Sequence, residues 1–171
     1  MKVIGPNLTG AQGDVSEMKD LDRLFERIKD EKGKLDILFA NAGIAKYTAL
    51  GSVTEEIYDS IFDINVKGVL FTAQKALALM LEAASIILVW SVVGSKALSS
   101  NSIYSATKAA IRSFARTWTT DLKSRRIRVN AISPETIDTL GLNYLLASEV
   151  WRATAQDGRF RYSDGPLWPT G

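Results

Sequence analysis

Apolar residues along the chain fall into two textures. Met18, Leu21, Leu24, Phe25 and Ile28 recur at three- and four-residue spacing, which gathers them on one face of a helix. Leu35–Ala40, Ile86–Val89 and Ile127–Ile132 are instead short runs, apolar almost throughout, as strands covered on both faces are. Leu8–Gln12, ending in Gly13-Asp14-Val15, predicts a further short strand and turn. Ser16 is positioned to cap the first helix, with Glu17 in its first turn, and Lys32-Gly33-Lys34 to stop it. Thr54 caps a long helix to Leu79, marked by Ile57, Ile61, Ile64, Gly68, Phe71 and Lys75, in which Gly68 indicates close packing. A third helix runs over Tyr104–Lys123 with Ala106, Ala109, Ala110, Phe114 and Trp118 on or near one face, and Pro134 halts the last strand.

Ala76 to Gly94 is apolar with only Glu82 charged, close to the roughly 20 residues that cross a bilayer. Its texture changes midway, however. Ala76–Ala84 reads as helix and Ile86–Val89 as buried strand, so a helix leading into a strand is expected and a membrane span is not. Alternating strands and helices imply βαβ units, a parallel sheet and right-handed crossovers. Ligands of such sheets bind at the carboxyl ends of the strands. Those ends carry Asp14, Asn41-Ala42-Gly43, Ser91 and Ser133-Pro134. From Asn143 no period is sustained, which divides the chain into 1–142 and an irregular 143–171.

The chain has 171 residues, 46% of them hydrophobic and 23% charged, the usage of a folded domain rather than a disordered or fibrous chain. Its 21 Lys and Arg offset 19 Asp and Glu, and only Lys123–Arg128 clusters, so nucleic acid is not expected as a partner. There is no Cys and no His. That removes disulfides, thiolate nucleophiles, Ser-His-Asp machinery and the common zinc sites, and no metal is expected. Catalysis would have to use Ser, Tyr, Lys or carboxylates, with or without a bound cofactor. Met1–Gly13 lacks the basic-then-apolar order of a signal peptide, which predicts a cytoplasmic protein.

Tyr104 and Lys108 are four apart at the start of a predicted helix and share a face. A free Tyr, with a pKa of about 10, is a poor base near neutrality, and a neighbouring ammonium favours its phenolate. Ser91 stands thirteen residues before Tyr104 at a strand end, where its hydroxyl can meet the phenol over a substrate carbonyl. Asn65 lies inside a helix, where Asn is a mediocre choice, and implies a helix irregularity or an internal polar partner. Each residue also has a local reading: Asp14 as a turn residue satisfying nearby N–H groups, Asn41 as a bridge between strands, Ser91 as a strand end.

Gly13-Asp14-Val15, Asn41-Ala42-Gly43, Asn65-Val66-Lys67-Gly68, Ser91, Tyr104-Ser105-Ala106-Thr107-Lys108 and Arg128-Val129-Asn130 with Ser133-Pro134 occur in that order. Over residues 7–142 the chain resembles the short-chain dehydrogenase/reductase family, nearest its glucose- and ribitol-dehydrogenase-like members. The resemblance implies an α/β fold: a partial Rossmann-like, doubly wound parallel sheet lacking the first βαβ segment with its Gly-rich loop. It implies hydride transfer between NAD or NADP and a small-molecule alcohol/carbonyl pair. Tyr104 would exchange the substrate proton, Lys108 would lower the Tyr pKa and bond the nicotinamide ribose, Ser91 would polarise the carbonyl, and Asn65 would hold a relay water. Asp14, Val15, Asn41, Ala42, Gly43, Tyr104, Lys108, Pro134, Ile137 and Thr139 would line the cofactor. The 54–79 and 103–123 helices would join copies into a homodimer or homotetramer. The alternative is a catalytically inactive remnant acting as a dimerising or interaction module. Departures from the family stand at Trp90 before Ser91, at Glu135 and Leu140, and in the tail.

Overall fold

A computed structural model describes residues 3–5, 7–96 and 98–134. The order is β1 (Val3–Gly5), β2 (Leu8–Thr9), α1 (Met18–Lys32), β3 (Leu35–Ala40), α2 (Glu55–Phe62), a π-helical turn (Asp63–Gly68), α3 (Val69–Ala76), β4 (Met80–Val89), a 3-10 turn (Val92–Gly94), α4 (Ser102–Asp121), a second 3-10 turn (Lys123–Arg125) and β5 (Arg128–Ile132). Strands β3, β4 and β5 form a parallel sheet in that order, with Phe39 opposite Ile87 and Ile87 opposite Asn130. The parallel α/β architecture read from the alternation is therefore present.

The amino-terminal strand differs from expectation. Leu8–Thr9 pairs antiparallel with Val3–Gly5 in its own two-stranded sheet and does not join β3–β5. Ser16 does not cap α1 either: its N–H and hydroxyl are both used by the Asp14 carboxylate, and Glu17 occupies the capping position without a side-chain bond. The stop is where the sequence puts it, with the Gly33 N–H closing on the Ile28 and Lys29 carbonyls.

Thr54 does cap its helix, accepting from the Ile57 N–H at 3.3 Å. The long helix predicted to Leu79 is interrupted at Asp63–Gly68 by the π-helical turn and ends at Ala76. The stretch read as helix to Ala84 is largely strand. Between the pairs Leu35–Met80 and Ile37–Ser85, β4 carries extra residues that bulge outward. Ala83 there takes φ 64°, and Glu82 pairs with Arg126. Arg125 donates to the Leu77 and Met80 carbonyls, satisfying the end of α3. No helix among the described residues is long and apolar enough to cross a membrane.

The core lies on one side of the sheet. Leu38, Ala40, Ile86, Leu88 and Val129 pack with Phe25 of α1, Val69, Ala73 and Ala76 of α3, and Ile111 and Ala115 of α4. Alternate strand residues face the other way, and there Ile37 is 60% exposed and Phe39 52%. The expectation that Leu35–Ala40 is covered on both faces fails because the described helices cover one face only. On α4 the buried residues are Thr107, Lys108, Ile111 and Ala115. Ala106 and Ala109, expected on or near one face with Phe114 and Trp118, are exposed. The buried stripe lies about one position of helix rotation away from that face.

Candidate active site

Three elements converge at the carboxyl end of β4. Ser91 stands one residue beyond that strand, after Trp90, and α4 brings Tyr104 and Lys108 round on one face. The turn between them lies tight on the helix: a Cβ at Gly94 would stand 2.9 Å from the Ala109 nitrogen and from the Lys108 carbonyl carbon. Only glycine permits that approach, and it holds Ser91 against the first turns of α4. The Ser91 hydroxyl lies near enough to the Tyr104 phenol to act on its titration. Lys108 is 6% exposed, donates to the Val89 carbonyl at 3.1 Å, and holds its Nζ 5.5 Å from the centre of the Tyr104 ring.

Burial sets the protonation of this pair. It pushes the Tyr104 phenol above its ordinary value, with the Ser91 hydroxyl working against the shift, and it lowers the Lys108 ammonium. The expectation that Lys108 lowers the Tyr104 pKa is thus not the net result in this state. Desolvation of the phenol is the largest effect, and the ammonium is aimed at a backbone carbonyl.

Asn65 is 1% exposed, and its carboxamide makes three hydrogen bonds. Its Oδ1 accepts from the Ile44 N–H at 2.8 Å, and its Nδ2 donates to the Ile44 carbonyl at 2.9 Å and to Thr107 Oγ1 at 3.1 Å. Thr107 in turn donates to the Tyr104 carbonyl at 2.7 Å. The irregularity and the internal partner expected of Asn65 are both present. Its carboxamide is a clamp between the loop after β3 and α4, and Oδ1 keeps one acceptor lone pair beyond the Ile44 bond. Thr107, part of the Tyr104–Lys108 landmark but given no role from the sequence, is the link in that clamp. Its position between Tyr104 and Lys108 was the available signal.

Asn41, Ala42 and Gly43 are exposed at the end of β3. A Cβ built on Gly43 would come within 3.3 Å of Asn65 Oδ1 and 3.6 Å of Lys108 Nζ, so the bare face of Gly43 opens onto both groups. Pro134 sits half-buried beyond β5, while Ile137, Thr139, Glu135 and the 142/143 boundary lie outside the described residues. Asp14 and Val15 belong to a different cleft of about 810 Å³, lined also by Gln12, Leu21, Arg23 and Arg27 and by none of the catalytic candidates. Asp14 behaves as the turn residue of its local reading: bonds from Ser16 hold its exposed carboxyl below the usual range. Val15 is tied to the site from behind. Its Cγ2 lies 2.8 Å from where a Gly68 side chain would begin, which is the close packing Gly68 implied.

A parallel α/β sheet with Ser, Tyr and Lys gathered at the carboxyl end of one strand has its polar groups where open α/β sheets bind their ligands. The sequence profile of the family described as enoyl-(acyl carrier protein) reductase matches residues 2–160. The oxidoreductase asL5 of Sarocladium schorii is 48% identical over 138 residues, which are 80% of this chain and 55% of that protein. Among solved structures, a short-chain dehydrogenase/reductase of the glucose/ribitol dehydrogenase type from Brucella melitensis superposes with a TM-score of 0.75 at 27% identity, covering 80% of this chain and 56% of that one. The angucycline C-6 ketoreductase LanV, solved with bound NADP, gives 0.70 at 32% identity over 81% and 56%. The chain belongs to the short-chain dehydrogenase/reductase family. It spans a little over half the length of these relatives.

Proposed function

We propose that the chain carries the catalytic segment of an NAD(P)-dependent oxidoreductase that interconverts a carbonyl and an alcohol. The single observation that supports this most is the buried Lys108 ammonium held 5.5 Å from the centre of the Tyr104 ring. The donor set suits a nicotinamide cofactor. The side-chain-free face of Gly43, open toward Lys108 and Asn65, is a cradle that any larger residue would fill. Asn41, Ala42, Gly43, Tyr104, Lys108 and Pro134 would hold the nicotinamide end, with Asp14 and Val15 toward the adenine. A bound nicotinamide supplies the hydride.

The chain's own residues handle the proton. A phenol kept above its ordinary pKa stays protonated at neutral pH, which is the form that donates to a carbonyl oxygen. As the carbonyl carbon takes the hydride, its oxygen takes the Tyr104 proton, and Ser91 Oγ steadies the developing negative charge. The phenolate left behind is the species that the nearby Lys108 ammonium favours. Asn65 positions the site through Ile44 and Thr107, and it would hold the relay water. Assembly through the 54–79 and 103–123 helices extends the same reading, as does preference between NAD and NADP.

Titration with NADH and NADPH, followed by energy transfer from tryptophan, tests the cofactor. Tyr104→Phe tests the proton: kcat should fall by roughly 10²–10⁴ with dinucleotide affinity kept. Undiminished turnover in that variant rejects the role of Tyr104. A folded chain that binds neither dinucleotide favours the interaction-module alternative.

A further inference from the structure

The N-terminus of α4, which presents Tyr104, contains a buried amide with nothing to bond. Asn101 is 1% exposed, and both its Oδ1 and its Nδ2 are enclosed without a hydrogen-bond partner. It occupies the capping position of α4 at φ −125°, ψ 18°, yet its side chain makes no capping bond. Its own carbonyl accepts from the Ser105 N–H at 2.9 Å, which sets the two residues one helical turn apart. Ser105 repeats the anomaly: its hydroxyl is buried and unpartnered, although back-bonding to the Asn101 carbonyl is the usual resort of a helical serine. Nearby, the Ser100 carbonyl is taken by the Thr48 N–H.

An enclosed carboxamide without partners is strongly unfavourable, and such groups are satisfied by internal water when no protein group reaches them. Because the Asn101 and Ser105 polar atoms are already sealed within this chain, neither a second copy nor a substrate in the cleft can reach them without opening the helix start. Water is the ligand small enough. We propose that Asn101 and Ser105 together bind one internal water that pins the first turn of α4, making Asn101 a positioning residue for Tyr104. The site itself is independent of the functional reading above; only its consequence for catalysis rests on that reading.

A double-mutant cycle on the full chain tests the site. Asn101→Leu keeps the volume and deletes the amide, and Ser105→Ala is mild enough to fold in any case. Each single change should lower Tm by roughly 2–8 °C, and the double variant should lose little more than the worse single, because both remove the same water. Water-to-amide nuclear Overhauser effects at Ser105 should be present in the parent and absent from Asn101→Leu. Tyrosinate absorbance, read as a difference against Tyr104→Phe, should show the phenol titrating lower in both single variants. Ile61→Val, a core change elsewhere, should leave that titration in place. A raised Tm in Asn101→Leu, strictly additive costs, or no Overhauser effect in the parent overturns the water site. An intact cycle with an unmoved Tyr104 titration overturns the positioning role alone.

Discussion

The two faces of the parallel sheet share strands, composition and register, yet only one is a core. On the helical face Ile86 and Leu88 have no exposure at all, whereas on the opposite face Ile37 and Phe39 keep more than half of theirs. Burial in this molecule therefore follows what lies above a strand, not how apolar the strand is. The catalytic candidates draw on the covered side. Lys108 and Thr107 are held by α4 where it packs on β4 and β5, and Asn65 by the turn that leads into α3.

The sharpest way to break this comparison is to cut the same kind of side chain from each face. Leu88→Ala should cost about 2–5 kcal/mol in urea unfolding, through lost transfer energy and a cavity that rigid neighbours cannot fill. Asn65→Ala comes next. It strands the Ile44 backbone and the Thr107 hydroxyl and should cost about 1–3 kcal/mol, with kcat falling through displacement of the Gly43 loop. Thr54→Ala removes one helix cap and should cost about 1 kcal/mol with activity unchanged.

The titrations offer a finer probe of the covered side. Lys108 has its pKa lowered in the folded chain, so below the ordinary lysine value the unfolded chain binds more protons, and stability gains as pH rises toward about 10.4. Tyr104 has its pKa raised, so above about 10 the folded chain binds more protons and stability falls again. Lys108→Met should abolish the rise and Tyr104→Phe the fall, as read from urea midpoints across that range. The smallest effect belongs to the bare face. Phe39→Ser should change stability by no more than about 0.5 kcal/mol, and a cost near that of Leu88→Ala would mean the face is covered in solution.

Much of the site was legible before any coordinates. The spacing of Tyr104 and Lys108 places them on one helical face whatever else happens, because 3.6 residues make a turn. Asn65 announced an irregular helix, since an amide there competes with helical bonding, and the π-helical turn is where it said. Thr54 and Gly33 marked real helix ends for equally local reasons. Ser16 misled because Asp14, two residues back, outcompeted the helix for its hydrogen bonds, a contest that capping preference alone does not judge.

What remained hidden was non-local. Leu8–Thr9 has strand composition, but whether it joins the main sheet depends on which edge is offered to it, and it pairs with Val3–Gly5 instead. Ala76–Ala84 has helical composition, yet Leu35 and the Arg125 guanidinium draw it into a bulged strand. The sequence by itself determined the alternation of elements from α1 to β5, the face shared by Tyr104 and Lys108, and the family, because these rest on periodicity and on ordered landmarks. Tertiary structure alone decided which sheet face is buried, that Thr107 links Asn65 to Tyr104, and that burial raises the phenol and lowers the ammonium. Those depend on atoms brought together from distant positions, and a dielectric environment exists only once the chain has packed.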